Sequence, residues 1–393
     1  VLTVGGQCEG YGGMFEALRT LIPVAHAWYA ETDPDASAVL AHHYPGVKNL
    51  GDITAVDWRD VDPVDILTSG FPCQPMSNAG PRLGAADPRH LWPTGVLPAI
   101  EILRPSLVIL ENVRGLLTID DGAVFGRVVA DLDAAGYVTS WAVVGACLVG
   151  ACHHRHRVFL VATSADTAVT VPDPAPIAAR RGRTWQALQT VLFGEPDPAP
   201  KWPAAGLVAG GRVWPLPAVV CAGKAAALPT PIARDAIRGA WRGDRPGRPL
   251  SEVVALLPTV RASDVFGAGR HGDGGLDLRT AVALLPSSQR FGGYAAAVRR
   301  HELAYGRAAP APTTPGCNGQ PRLSARFVEW MQGLSPGWLT DVVGFQAAVR
   351  MAGNGVNPRQ CAYAVASSPV FRCWARRNAP GANPEGVSVS AGA

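Results

Sequence analysis

Across its first 165 residues the chain alternates short apolar runs with amphipathic stretches, and this alternation restricts the fold more than any other feature. Residues 1–4, 24–29, 64–69, 106–110 and 157–162 read as strands; residues 14–21, 35–43, 91–103 and 124–135 read as helices. Strands separated by helices cannot close as tight hairpins, so the pattern predicts an α/β fold with a mostly parallel sheet covered on both faces. Residues 137–162 differ: they read as two successive strands with a short connection, which predicts an antiparallel edge. In sheets of this kind ligands sit outside the carboxyl ends of the strands. Residues just past each strand are therefore the first candidates for chemistry.

A chain of 393 residues is long enough for two or three domains. At 48% hydrophobic and 17% charged it can bury a large core and is not a disordered polymer. No apolar run reaches the ~18 residues of a membrane helix, so no membrane association is expected; residues 141–152, the longest candidate, read as a buried strand or hairpin. No basic stretch precedes an apolar run at the start, so no secretory signal is expected. The eight cysteines show no framework spacing, which predicts a reducing cytoplasm without disulfides. Cys147, Cys152, His153, His154 and His156 crowd together but lack paired CxxC spacing, and neighbours on one strand point apart, so no metal is expected.

Charge and texture change along the chain. Residues 1–175 carry 19 acidic and 10 basic side chains, whereas residues 176–350 carry 11 acidic and 21 basic. That asymmetry suits a catalytic module beside a binder of phosphate backbones; segregated solubility charge is the plainer alternative. Beyond residue 165 proline and glycine become dense and periodicity fades. Leu228-Pro229-Thr230, Leu257-Pro258-Thr259 and Leu285-Pro286-Ser287 form a near-repeat, too short and irregular for a solenoid. These corners either pack an irregular domain or carry Arg and Thr side chains to phosphates and bases. The tail, residues 377–393, is rich in Gly, Ser and Ala and is expected to be disordered.

Five strand ends carry suggestive residues. Gly10, Tyr11, Gly12 and Gly13 follow the first strand and open a helix, where backbone can approach a ligand. A dinucleotide fingerprint wants glycine at position 15, which is Phe15, so a nicotinamide cofactor is disfavoured. Glu31 ends the second strand, about 20 residues on, where an acid can take a ribose diol. Asp52 and Ile53 follow a weak third strand, where a carboxylate can accept from an adenine amine. Together these suggest an adenosine-containing cofactor. Cys73 stands on a turn between Pro72 and Gln74-Pro75, beyond the end of a strand, exposed and fixed rather than buried. Glu111, followed by Asn112 and Val113, ends the next strand and faces the same cleft; desolvation would raise its pKa so that it can donate a proton. Arg155 and Arg157 alternate along the last strand, and residues two apart share a face, so both are expected to aim at an anion or a base carbonyl.

This ordered set resembles the DNA (cytosine-5) methyltransferase family. The resemblance rests on Gly10–Gly13, Glu31, Asp52, Pro72-Cys73-Gln74, Glu111-Asn112-Val113, Arg155-His156-Arg157, the stretch from Arg326 to Trp338, and Gly353-Asn354-Gly355, all in the family's order. Cys8, Met76 and His153 depart from its usual pattern. The resemblance implies a Rossmann-like, S-adenosylmethionine-dependent catalytic domain of residues 1–164 plus 341–376, and a smaller irregular target-recognition domain of residues 165–340. It implies double-stranded DNA lying between the two, a monomer, S-adenosylhomocysteine as the product of the cofactor, no metal, and a place near the nucleoid. A cognate restriction endonuclease acting separately is a further implied partner. By the same resemblance Cys73 attacks C6 of a flipped cytosine, Glu111 serves N3 and Arg155 binds O2. Pro72, Gln74, Asn112, Val113 and Arg157 would shape the base pocket. Gly10, Tyr11, Gly12, Gly13, Glu31, Asp52, Ile53 and Asn354 would hold the cofactor. An RNA cytosine methyltransferase, a folate-dependent pyrimidine methylase and a DNA-binding homologue without turnover are the competing readings.

Overall fold

The computed structural model describes residues 1–71, 91–164, 183–184, 202–216, 291, 295–315 and 321–379. Pro72, Cys73, Gln74 and Met76, the three Leu-Pro corners and the tail from residue 380 lie outside the described residues.

In chain order the elements are β1 (Leu2–Gln7), α1 (Gly13–Arg19), β2 (Val24–Ala30), α2 (Pro34–His43), β3 (Lys48–Asn49), β4 (Ile66–Ser69), α3 (Leu97–Leu103), β5 (Leu107–Val113), α4 (Ala123–Ala134), β6 (Tyr137–Gly145), β7 (His156–Ser164), β8 (Arg183–Thr184), β9 (Ala205–Ala209), β10 (Arg212–Pro215), α5 (Ala295–Tyr305), β11 (Thr313–Pro315), β12 (Pro321–Leu323), α6 (Ala325–Met331), α7 (Phe345–Asn354), α8 (Pro358–Ser367) and α9 (Pro369–Asn378). Ten strands form one sheet in the order β3-β2-β1-β4-β5-β7-β6-β9-β10-β8. The first five in that order pair in parallel. From β5 onward every pairing is antiparallel. The fold is thus α/β with a parallel half and an antiparallel half.

Two expectations need correction. Residues 137–162 do form an antiparallel pair, but not an edge, because β6 also pairs with β9. Residues 91–103 do not form one helix. A π turn over Trp92–Val96 leads into α3. Pro93 and Pro98 lack the N–H that a regular helix would use there.

The described chain divides into two compact units. The first holds residues 1–71, 91–145, 156–164, 183–184, 202–216 and 358–379; the second holds residues 146–155, 291, 295–315 and 321–357. In the first unit one face of the sheet is covered by α3 and α4. Trp28, Leu67, Trp92, Ile100, Val108, Leu110, Phe125, Trp141 and Leu160 make its dry centre. Burying each such side chain contributes about 1.5–3 kcal/mol. The buried indoles are also satisfied: Trp92 donates to Asp131 (2.9 Å), Trp141 to the Pro203 carbonyl (3.0 Å) and Trp202 to the Gly122 carbonyl (3.0 Å). The helices α1, α8 and α9 belong to the same unit. Ser368, the N-cap of α9, meets Ser140 of β6 at 2.7 Å, and Trp374 donates to Ser106 at 3.1 Å. The C-terminal helices are thereby tied to strands more than 200 residues earlier. Among the described residues no helix is long and apolar enough to cross a membrane.

In the second unit the buried Glu329 carboxylate of α6 accepts from three backbone amides, Gly337 (2.8 Å), Leu339 (2.7 Å) and Thr340 (3.0 Å). This fixes the loop that follows α6, because each bond is charge-assisted. His301 of α5 stacks between Tyr305 (4.1 Å) and Trp330 (3.9 Å).

An aromatic cluster links α1, β2 and α2. His26 stacks on Phe15 at 4.2 Å and meets Tyr44 edge-on at 4.9 Å. Neither ring nitrogen has a hydrogen-bond partner among the described residues. Burial pushes the imidazole down to about 4 from 6.5. The folded state therefore binds fewer protons than the unfolded chain between those values. Stability is full above pH 6.5 and declines as the pH falls toward 4, by about 3 kcal/mol over the window. Urea unfolding at pH 7 and pH 4.5 measures this, and His26→Phe is expected to flatten the difference.

Candidate functional site

The four parallel strands β2, β1, β4 and β5 end abreast. Gln7 pairs with Ala30 and with Ser69, and Ser69 pairs with Leu110. This register brings the glycine loop, Glu31, the Gly70-Phe71 turn and Glu111 to one end of the sheet.

Gly10 has φ +61° and a Cβ there would find no atom within 4 Å. The left-handed backbone favours glycine, and the open space above it admits a ligand. Tyr11 is buried, Gly12 donates to the Glu9 carbonyl at 3.0 Å, and Gly13 begins α1. Glu31 is locked to this loop. One carboxylate oxygen accepts from Gly10 (2.9 Å); the other accepts from Thr32 and Asp33 (both 2.9 Å). Burial raises its pKa, and the three amides oppose that rise. Asp52 is exposed and accepts from the Thr54 amide (2.9 Å) and hydroxyl (2.8 Å), which hold its pKa below the usual range. Ile53 is buried. Gly10, Glu31 and Asp52 thus present one open glycine and two oriented acids, acceptors that fit the hydroxyl and amine donors of an adenosine.

Phe71, the residue before Pro72, is buried against Trp92. The Asn112 side-chain amide donates to the Phe71 carbonyl at 3.3 Å, and its own carbonyl accepts from Val113 at 2.9 Å. Asn112 therefore pins the backbone at Phe71, the residue before Pro72. Glu111, Asn112 and Val113 lie inside β5 rather than after it. Glu111 is buried and forms an ion pair with Arg157 of β7 at 2.9 Å. Arg157 pairs across the ladder with Val113, two residues from Glu111 on the same face, so the two side chains meet diagonally.

The expectation that Arg155 and Arg157 share a face is corrected by the structure. The strand begins at His156, and Arg155 precedes it with φ +35°, so alternation does not extend to it. Arg155 is 2% exposed, and its guanidinium donates to the carbonyls of Gly353 (3.0 Å) and Gly355. Asn354, between those glycines, is exposed, while Asn357 is buried and bonded to Tyr305. In the same unit the Cys152 amide donates to His301 and the His153 ring meets the Met331 carbonyl.

Sequence reasoning passed over Glu9. It stands between two loop residues expected to matter, is 5% exposed, and lies over Gly6, where a Cβ would collide with its carboxylate. One oxygen accepts from Thr68 at 3.2 Å; the other has no partner among the described residues. Burial raises its pKa to about 8. A carboxyl raised from 4.5 to 8 contributes stability below pH 4.5 that is lost as the pH rises through 8. Glu9→Gln is therefore expected to be about 4 kcal/mol more stable than the parent at pH 8, with no gain at pH 4; thermal melts at the two values measure it.

Residues 7–192 match the model of the family described as C-5 cytosine-specific DNA methylase. Over 138 residues the chain is 38% identical to the Type II methyltransferase M.NgoBV of Neisseria gonorrhoeae, covering 33% of each protein. Over 163 residues it is 36% identical to the Type II methyltransferase M.BsuFI of Bacillus subtilis, covering 41% of this chain and 39% of that one. The match thus spans between a third and two fifths of these relatives. The crystal structure of the S. pombe Dnmt2 methyltransferase aligns with 94% of this chain and 98% of its own at 16% identity and a TM-score of 0.48. Residues 7–192, just under half of the chain, are therefore similar in sequence to the C-5 cytosine-specific DNA methylase family.

Proposed function

We propose that the protein transfers a methyl group from S-adenosylmethionine to C5 of a cytosine flipped out of double-stranded DNA. The observation that carries this reading is the buried Glu111–Arg157 pair on β5 and β7, one strand from the turn that leads into Pro72-Cys73. Ring carbon C5 is a poor nucleophile. Bonding of the Cys73 sulfur to C6 gives C5 enamine character, and the negative charge that would build on the ring is met at N3 by Glu111. We assign the base O2 to Arg157 rather than to Arg155; support comes from its contact with Glu111 and from the bonds of the Arg155 guanidinium to the Gly353 and Gly355 carbonyls. A base then removes the C5 proton and Cys73 leaves as thiolate. None of these atoms is reachable in stacked DNA, hence the flipped base.

S-adenosylmethionine, when bound, supplies the methyl group. Gly10–Gly13 would hold its backbone-facing side, Glu31 a ribose hydroxyl, and Asp52 and Ile53 the adenine. Pro72, Gln74, Asn112 and Val113 complete the base pocket in this reading. The catalytic part comprises residues 1–164 with 341–376, and residues 165–340 recognise the DNA target. A separate restriction endonuclease is consistent with the names of the Type II relatives.

The test is methyl transfer from labelled S-adenosylmethionine to duplex DNA, duplex RNA and free deoxycytidine monophosphate. Label is expected in duplex DNA as 5-methylcytosine. Label in RNA alone would establish the RNA methyltransferase, and binding to DNA without label would establish a homologue that has lost turnover.

A further inference from the structure

The loop between β1 and α1 contains an acid that the proposed reaction does not use. The Glu9 carboxylate lies over Gly6, in register with Thr68 on the neighbouring strand, and accepts from the Thr68 hydroxyl at 3.2 Å. Its second oxygen is buried and makes no hydrogen bond among the described residues, in a side chain 5% exposed whose carboxylate is otherwise influenced by the Phe15 backbone N–H. The titratable groups that act on it are neutral when protonated and anionic when not: Glu31 from β2, Cys8 from its own loop, Tyr44 beyond α2 and Cys361 from α8. No ion pair is made by Glu9 among the described residues. A buried carboxylate with one oxygen not hydrogen-bonded and no countercharge costs free energy that a bound cation would relieve.

We propose that Glu9 is the specificity residue for the ammonium group of the methyl donor's amino-acid end. The proposal rests on the reading of the Gly10–Gly13 loop as the donor's site. The donor carries two cations, and only the ammonium has N–H groups to give to an orphan carboxylate oxygen; the sulfonium has none. Glu9 reaches toward β4, whereas Glu31, on β2, binds the other side of the same loop. The two acids thus divide the ligand: Glu31 takes the sugar and Glu9 the amino acid. Before binding, the Glu9 carboxyl holds its proton near neutrality, because burial opposes its charge. As the ammonium arrives, N–H···O bonds form to the carboxylate and the displaced proton leaves to the buffer.

The experiment is calorimetry on the full chain at pH 7 in two buffers of different ionisation enthalpy. The ligands are S-adenosylhomocysteine and its analogue lacking the amino group. The wild type is expected to release close to one proton with the first and none with the second. Glu9→Gln is expected to bind S-adenosylhomocysteine about tenfold more weakly or worse, without proton release, and to bind the deaminated analogue as the wild type does. Equal proton release for both ligands, or equal loss of both by Glu9→Gln, would overturn the assignment. So would a Glu9→Gln protein that binds S-adenosylhomocysteine with wild-type affinity. The wild-type arm decides the matter even if the variant does not fold. If the wild type binds neither S-adenosylhomocysteine nor S-adenosylmethionine, the cofactor reading itself fails and the role of Glu9 falls with it.

Discussion

Cys73→Ser is expected to lower methyl transfer to duplex DNA by about 10⁴-fold or more while leaving DNA binding within a few-fold of the parent. The reason is the nucleophile. An ordinary thiol is already about 3% thiolate at pH 7, whereas a serine hydroxyl has no comparable ionised fraction. Serine is smaller by little and remains polar, so the flipped base still finds its pocket. Phe71, two positions earlier in the chain, is held by the Asn112 bond to its carbonyl and by packing on Trp92. Two readouts separate chemistry from folding: labelled methyl incorporation, and retention of a duplex carrying 5-fluorocytosine after denaturation in the presence of the methyl donor. The parent should retain the duplex covalently and Cys73→Ser should not. A serine variant that methylates at the parent rate would remove the covalent adduct from the mechanism.

Arg157→Ala carries the second large effect, and it falls on stability and rate together. The pair with Glu111 is nearly dry, with side-chain exposures of 15% and 9%. Removing one member of such a pair leaves the other charge buried, which costs about 3–5 kcal/mol. Methyl transfer should fall about 10²-fold or more, through loss of the base O2 contact and of the orientation of Glu111. Arg157→Lys keeps the charge but not the planar fork, so it is expected to recover stability more than rate. Urea unfolding and single-turnover methylation read the two parts separately. By contrast, Arg155→Lys is expected to leave Glu111 paired and to loosen the Gly353–Gly355 carbonyls, because those are what its guanidinium binds. If Arg155→Ala and Arg157→Ala showed the same fall in rate with stability unchanged in both, the distinction between them would be wrong.

The elements that bear the site were legible because each follows from a short-range rule. Apolar runs at 24–29 and 106–110 became β2 and β5, and Asp33 caps α2 by accepting from Asp35 and Ala36. The glycine loop and Glu31 were singled out because they follow strands, where a parallel sheet gathers its functional residues, whereas Glu111 lies within the last paired residues of β5 rather than beyond it. Arg155 was misplaced because a strand's start depends on ladder pairing, which no local pattern reports. Glu9 was missed for a related reason. An acid next to a glycine loop looks like a solvated turn residue until Gly6 and Thr68 are seen to make a buried place for it.

From its order of residues alone the chain was committed to alternating strands and helices, to a sheet with a parallel half, and to a set of chemical groups at the strand ends. Those depend on periodicity, turn residues and side-chain chemistry, all of which act within a few positions. Which arginine meets which acid, which carboxylate loses its water, and which helices return to the sheet were settled only when β5 and β7 paired and α8 and α9 folded back. Partners 46, 59 and more than 200 residues apart are brought together by long-range packing, and desolvation is a property of that packing rather than of any residue by itself.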